Sequence, residues 1–137
     1  MRVVVDTNVV AYYLLGTAEF VEETGDFWNR TSITLAPSLW EAEIANVIWL
    51  AVRHGSLSHS EAEFKLRSAA GLGIQSLPTR ALWQGALLRS LRSDVAVYDT
   101  LFVELAARER LPLATYDRKL LERFPETAAR PRHIGTG

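Results

Sequence analysis

Four acidic residues stand at positions where an α/β protein would bring them together. Asp6 directly follows the apolar run V-V-V, and Asp117 lies just past another apolar run at residues 111–115. Both runs are too short for a helix and suit buried strands. Glu43 and Asp99 lie in stretches whose apolar residues recur at helical spacing. Because ligands bind outside the carboxyl ends of parallel strands, we expect these four carboxylates to meet in one cleft.

Carboxylates gathered in one cleft repel one another, and they hold their charge by binding a hard cation. Oxygen ligands without sulfur favour Mg²⁺ or Mn²⁺, and the chain has no cysteine. Such an ion polarises a phosphodiester and lowers the pKa of a bound water. The sequence therefore predicts metal-dependent hydrolysis of a phosphate ester, with the four acids as catalytic and metal-binding residues. Since His54, His59 and His133 lie outside these stretches, no histidine competes for either role.

Each acid also has a simpler interpretation when it is taken alone. Asp6 and Asp117 suit the N-cap of the helix that follows each of them. The negative charge of Asp99 could interact favourably with the dipole of its own helix, and Glu43 could be held in an ion pair. The prediction of a metal site therefore depends on all four acids meeting in one place.

Two other classes of protein remain open at this point. One is a binding module that keeps the fold without catalysis, and the complete set of acids argues against it. The other is a phosphatase or phosphoacceptor domain with Asp6 as its nucleophile. Such enzymes commonly carry a second carboxylate two residues further on, where this chain has Asn8.

Length and composition predict a single domain over residues 1–137. The hydrophobic fraction of 48% is enough for a core without disulfides. The net charge of −1 creates no overall attraction to nucleic acid or to a membrane surface. No apolar run reaches the ~20 residues that a membrane span needs, and Asp6 interrupts the only N-terminal run before a signal peptide could form. We therefore expect a cytoplasmic protein that does not enter membranes.

Short apolar runs alternate with helical patterns along the chain, which predicts an α/β fold. The expected strands are residues 2–5, 33–36, 74–77 and 111–115, with a further edge strand at 132–134. The expected helices are 9–15, 18–30, 39–53, 61–70, 80–91, a helix within 93–110, and a short one ending at Phe124. Ser38 with Glu41 predicts a capping box, and Thr79 a simple cap. Such alternation indicates a central parallel sheet of four to five strands flanked by helices.

The helix at residues 39–53 is apolar on nearly all sides. One sheet cannot cover every face of such a helix in a chain of this size. We therefore expect part of it, including Trp40 or Trp49, to contact a partner protein or a second subunit. The alternative is that the next helix covers it.

Four strings in order make the sequence resemble a family. V-V-V-D-T-N-V, P-S-L-W-E-A-E-I-A-N-V, V-Y-D-T-L-F-V-E-L-A and A-T-Y-D-R-K-L are together similar to PIN-domain ribonucleases, and most to the VapC-type toxins of toxin–antitoxin pairs. The resemblance covers almost the whole chain. It implies a parallel sheet whose first strand is flanked by the fourth. It also implies a Mg²⁺ or Mn²⁺ site built from the acids Asp6, Glu43, Asp99 and Asp117, with Asn8 and Thr115 as accessory polar residues. Glu41 competes with Glu43, which fits the family pattern better because I-A-N-V follows it.

The resemblance also implies an activity and partners. It implies an endoribonuclease that leaves a 5′-phosphate and a 3′-hydroxyl, with single-stranded or loop RNA as its substrate because exposed bases are what proteins read in RNA. Arg118 and Lys119 are candidates for contacting the flanking phosphates, or simply surface charges. VapC-type toxins generally form homodimers and are inhibited by a small antitoxin, and the apolar helix at residues 39–53 agrees with such an interface.

Overall fold

A computed structural model describes residues 1–135. One five-stranded sheet, with every neighbouring pair of strands parallel, has the strand order β3-β2-β1-β4-β5. The strands are β1 (Arg2–Val5), β2 (Ile33–Pro37), β3 (Gln75–Leu77), β4 (Leu113–Ala114) and β5 (Ala128–Ala129). The helices are α1 (Thr7–Leu15), α2 (Val21–Arg30), α3 (Leu39–Arg53), α4 (His59–Ala70), α5 (Thr79–Ser93), α6 (Val97–Glu109) and α7 (Arg118–Arg123), followed by a 3₁₀ turn at Pro131–His133. The predicted parallel α/β fold of four to five strands is confirmed.

β1 lies at the centre of the sheet because its side chains are apolar on both faces. Val3, Val4 and Val5 have no exposed surface, as a strand covered on both sides requires. Val4 is in register with Leu35 of β2 on one side and Leu113 of β4 on the other. The first strand is thus flanked by the fourth, as expected, and β1 and β4 end side by side.

The antiparallel helices α5 and α6 pack closely through a small residue facing a large one. Gly85 of α5 leaves the space that the Glu104 carboxyl of α6 occupies, because a Cβ at Gly85 would lie 2.3 Å from Glu104 Cδ. Glu104 is nearly buried, and it accepts hydrogen bonds from Arg89 Nε and Arg108 Nε at 3.3 Å each. This packing fixes α6, whose first turn carries Asp99.

α3 is covered on one side only. Trp40, Ile44 and Ile48 are buried, and Trp40 Nε1 donates a hydrogen bond to Ser76 Oγ at 2.8 Å. Trp49 is instead 52% exposed. Of the two tryptophans expected at an interface, only Trp49 is thus available to a partner.

Two predicted helix caps were wrong. Ser38 has helical backbone angles and makes no capping bond, because its N–H donates to Leu77 O at 2.7 Å and its hydroxyl contacts Thr79 Oγ1 at 3.3 Å. Thr79 is the first residue of α5, and Pro78 occupies the cap position. The two hydroxyls contact each other where α3 and α5 begin, instead of capping their helices.

The predicted edge strand at residues 132–134 was also wrong. A 3₁₀ turn forms at Pro131–His133, and the fifth strand lies earlier, at Ala128–Ala129. A proline favours the first turn of a helix because it has no N–H to donate. No helix among the described residues has the length and apolar character to span a membrane.

Replacing Gly85 with Ala is expected to lower the free energy of unfolding by about 1–2 kcal/mol, because the new methyl group displaces Glu104 from its two arginine partners. In a Glu104→Ala background the same substitution should instead raise it by about 0.5–1 kcal/mol, since Ala is the better helix former. Urea unfolding of the four proteins measures both effects. Stabilisation by Gly85→Ala in both backgrounds would show that the Gly85–Glu104 contact does not constrain the packing.

Candidate functional site

Asp6 follows β1 and takes part in two structural features at once. Its Oδ1 accepts the Thr7 N–H at 2.8 Å and so caps α1. Its Oδ2 accepts the Thr115 hydroxyl at 2.8 Å and is 3.4 Å from Asn8 Nδ2. The simpler interpretation of Asp6 as a cap is therefore correct, and it does not exclude a role in the cleft that Asp6 also lines.

Asn8 and Thr115 join the ends of the two central strands. Asn8 Oδ1 accepts the Tyr116 N–H at 3.3 Å, and Asn8 Nδ2 lies 3.5 Å from Thr115 Oγ1. The Thr115 hydroxyl also accepts the Asp117 N–H at 2.9 Å. These bonds hold the segment before α7 against the end of β1, and the accessory role of Asn8 and Thr115 in orienting ligands or water stays a prediction.

Thr7 orients the second acid, and sequence reasoning missed this residue. Its hydroxyl donates a hydrogen bond of 2.7 Å to Glu43 Oε1. Thr7 is buried at the start of α1, and Glu43 is half-buried on α3. The available signal was a hydroxyl residue directly after Asp6. Glu41, the competing candidate, is exposed and does not line the cleft.

Asp99 and Asp117 complete the acidic wall. Asp99 is half-buried in the first turn of α6. Asp117 caps α7, and its Oδ1 accepts the Leu120 N–H at 3.1 Å. As with Asp6, the capping role and the position in the cleft coincide.

The four predicted acids line one cleft of about 370 Å³, each from a different element. The other lining residues are Thr7, Asn8, Ala11, Tyr12, Leu15, Thr17 and Val47. Within the described part of the chain, none of the three histidines is among them. The fold therefore brings side chains that are far apart in the sequence, between Asp6 and Asp117, to a single concave surface.

Burial dominates the electrostatics of Asp6. The pKa of its carboxyl is raised from the ordinary 3.8 to about 7, mainly by desolvation and to a smaller extent by the charges of Asp99 and Glu43. The hydrogen bonds from Thr115 and the Thr7 N–H act in the opposite direction on this pKa. A buried carboxyl with this pKa changes charge near neutral pH.

The cleft also raises the pKa values of two other acids, Glu43 and Asp99. Desolvation followed by a smaller effect of Asp99 raises the pKa of Glu43, while the hydrogen bond from Thr7 lowers it. Desolvation and then Asp117 raise the pKa of Asp99, and Lys119 lowers it. These pKa effects show that the acids lie close enough to repel one another.

Arg118 and Lys119 are exposed in the first turn of α7 and do not line the cleft itself. Lys119 is near enough to Asp99 to lower the pKa of that carboxyl. Lys119 therefore lies at the rim of the acidic wall, and the contact of Arg118 and Lys119 with phosphates remains a prediction.

The donor chemistry of the cleft fits a hard divalent cation, because its acids present only carboxylate oxygens and repel one another without a counter-charge. Within residues 1–135, no three His, Cys, Asp or Glu side chains are spaced so closely that they could already hold a metal ion. Ion binding would therefore have to draw the carboxylates closer together.

Asp6→Asn is expected to stabilise the metal-free protein at high pH. Because the folded-state pKa of Asp6, about 7, lies above its unfolded value of ~3.9, folding takes up a proton between these values. The stabilising effect of the protonated carboxyl is complete below pH ~4 and is lost as pH rises through 7. Urea unfolding in EDTA should show the variant more stable by roughly 2 kcal/mol at pH 8, with no such gain at pH 4. Equal stability at pH 8 would contradict the raised pKa.

Comparison with known proteins agrees with this geometry. The chain is 29% identical to Ribonuclease VapC3 of Pyrobaculum aerophilum over 134 residues, which cover 91% of this chain and 96% of that protein. Its fold is similar to a chain of a toxin-antitoxin complex from Klebsiella pneumoniae, with a TM-score of 0.65 at 14% identity, covering 94% of this chain and 97% of that one. Residues 3–126 match the family described as PIN domain. The family expected from the four sequence strings is thus confirmed, and this chain belongs to the PIN domain family.

Proposed function

We propose that this protein is a metal-dependent endoribonuclease and the toxin of a toxin–antitoxin pair, acting in the cytoplasm. The observation that carries the proposal is the cleft lined by Asp6, Glu43, Asp99 and Asp117 at the carboxyl ends of β1 and β4. The similarity to a ribonuclease of the VapC group supports the choice of RNA as the substrate. Family membership supports nuclease chemistry in a cleft of this composition.

The residues that would hold Mg²⁺ or Mn²⁺ are Asp6, Glu43 and Asp99, with Asp117 direct or through water. When bound, such an ion polarises the phosphodiester and makes a bound water a better nucleophile. Its positive charge would also counter the burial and the repulsion that raise the pKa values of these acids.

Hydrogen bonds from surrounding residues orient two of these acids. The Thr7 hydroxyl holds Glu43, and the Thr115 hydroxyl with the Thr7 N–H holds Asp6. An ion that draws the carboxylates together would therefore start from two acids whose orientation is already set. At the rim, Arg118 and Lys119 would contact the phosphates on either side of the scissile bond.

Glu43→Gln and Asp99→Asn should each lower the rate of RNA cleavage by about 100-fold or more, because each removes a charged ligand of the ion that would stabilise the developing negative charge by several kcal/mol. Mn²⁺ should also raise the melting temperature of the parent protein, and raise that of either variant much less. Cleavage of a labelled single-stranded RNA and thermal unfolding in EDTA or Mn²⁺ measure the two effects.

Two matched controls lie close to these acids in the sequence. Glu41→Gln and Asp94→Asn neutralise exposed acids outside the cleft and should change neither readout. Product ends exclude a contaminating metal-independent ribonuclease, since the proposed hydrolysis leaves a 5′-phosphate. Full activity of Glu43→Gln would refute the proposed ligand set, and RNA binding without cleavage by the parent would favour a binding module.

We propose the groove between α3 and α4 as the antitoxin site. Its volume is about 330 Å³, and its walls are mainly apolar: Ala45, Ile48, Trp49, Val52, Ala62 and Leu66, with His59 and Glu63. An apolar helix binds in such a groove through side chains at helical spacing. The structural similarity to a toxin-antitoxin complex supports a partner of this kind.

A homodimer is proposed alongside this complex. A stripe of exposed apolar side chains, Trp83, Leu87 and Leu91, runs along α5 at 52%, 49% and 73% exposure. The groove and the stripe lie on different helices, so a partner protein and a second copy could bind at the same time.

Trp49→Asp is expected to abolish the complex with the proposed antitoxin, without lowering the nuclease rate. The introduced charge would be buried against the apolar helix of the partner. Sedimentation should give a dimer mass for parent and variant alone, and an added partner mass after co-expression for the parent only. Trp83→Asp, which changes an equally exposed tryptophan on α5, should keep the partner. A monomeric parent that binds no such protein would refute both proposed assemblies.

A further inference from the structure

The cleft has a second wall whose chemistry differs from that of the acids. Ala11, Tyr12, Leu15 and Val47 line it with apolar and aromatic surface. Among the described residues, no Lys or Arg lines the cleft. The acids act on a phosphate group, whereas this wall matches an uncharged, flat part of a ligand.

Tyr12 is the aromatic residue of this wall, and its ring is firmly held. It stacks on Phe20 with ring centroids 4.3 Å apart at 23°. It also meets the edge of Tyr116 at 5.3 Å, and Phe20 and Tyr116 touch each other at 4.5 Å. The Arg130 guanidinium lies over the Tyr116 ring, 5.1 Å from its centroid. A ring fixed in this way loses little conformational entropy when a ligand binds.

Tyr12 is the member of this cluster that faces the cleft. Phe20 and Tyr116 pack against it but do not line the cleft. Phe20 covers one face of the half-buried Tyr12 ring, and the part of Tyr12 that Phe20 leaves uncovered is available to the cleft. That surface lies in the same cavity as Asp6 and Glu43.

We propose that Tyr12 binds an unpaired nucleobase next to the scissile phosphate by stacking. This inference rests on the proposed ribonuclease function and assigns one residue, Tyr12, to binding a base of the single-stranded RNA that the family resemblance already implies. A base inside a duplex is already stacked on its neighbours and cannot lie on a protein ring. Stacking is tolerant of base identity, so Tyr12 sets the requirement for an unpaired base and contributes less to the choice of sequence.

The first test compares three variants. Tyr12→Leu should raise KM for a single-stranded oligoribonucleotide roughly tenfold while leaving kcat nearly unchanged, because stacking of a base on an aromatic ring is lost. Tyr12→Phe keeps the ring and should behave like the parent protein. Tyr13→Leu is the matched control, since Tyr13 lies on the same helix and packs against Trp28 at 5.7 Å without lining the cleft.

The second test uses the unchanged protein, so that it does not depend on Tyr12→Leu folding. Binding is measured in EDTA by fluorescence anisotropy with labelled oligouridylate and with the same backbone carrying one abasic position at the cut. The abasic RNA should bind roughly tenfold more weakly. Irradiation of RNA carrying 5-iodouridine at that position should crosslink to Tyr12, as identified by mass spectrometry of the digested protein.

The outcomes separate this inference from the proposed function. If the parent protein cleaves RNA but Tyr12→Leu matches Tyr13→Leu in KM, or the abasic RNA binds equally well, stacking by Tyr12 is refuted and the nuclease stands. If the parent neither binds nor cleaves RNA in Mn²⁺, the proposed function fails and the inference fails with it. Equal cleavage of duplex and single-stranded RNA would refute the inference alone.

Discussion

The Thr115 hydroxyl donates a hydrogen bond to Asp6 across the paired strands β1 and β4, at a distance of 2.8 Å. The other features of the site depend on this bond and on the parallel pairing beneath it. The pairing brings together two segments that are more than 100 residues apart in sequence, and the bond compensates part of the cost of burying a carboxylate. Asn8 extends the same connection to the backbone before Asp117. The acidic wall is therefore built on the most buried part of the sheet.

That wall is costly to fold. Burial and neighbouring charges raise the pKa of Asp6, Glu43 and Asp99, which means that the ionised forms destabilise the folded state. The valines of β1, which are fully buried, supply the opposing apolar stabilisation. Several carboxylates placed next to the fully buried central strand are typical of a functional site. Such an arrangement has no advantage for stability alone.

The two walls of the cleft divide recognition from chemistry. The carboxylates would repel a bare phosphate backbone, so affinity for an anionic polymer has to come from a counter-ion, from the rim charges Arg118 and Lys119, and from uncharged contacts. The ring of Tyr12 offers such a contact inside the cleft. The exposed apolar surfaces around Trp49 and along α5 lie outside it, which leaves them free for protein partners.

Local sequence patterns predicted most of the helices and strands and three of the four acids that line the cleft. The valine run of β1 predicted a central strand, and an acid after a strand end predicted a cleft, because strand pairing and hydrophobic burial follow from the side chains of the segment itself. The preference for Glu43 over Glu41 needed more than local pattern, since both lie within the same turn of α3 and only their rotation about the helix axis separates them. The family string I-A-N-V supplied that distinction, and the packing of α3 then placed Glu43 in the cleft and left Glu41 exposed.

Other features were decided only by tertiary contacts. The Ser38 hydroxyl contacts Thr79 instead of capping its own helix. The two residues meet because the carboxyl ends of the paired strands β2 and β3 lie side by side. Thr7 holds Glu43 across 36 positions, and Tyr12 faces the acids because Phe20 and Tyr116 fix its ring. The sequence by itself determined which side chains were available and the elements that carry them. The tertiary structure alone decided which of them meet, because such contacts depend on how distant segments pack and not on the preference of any one segment.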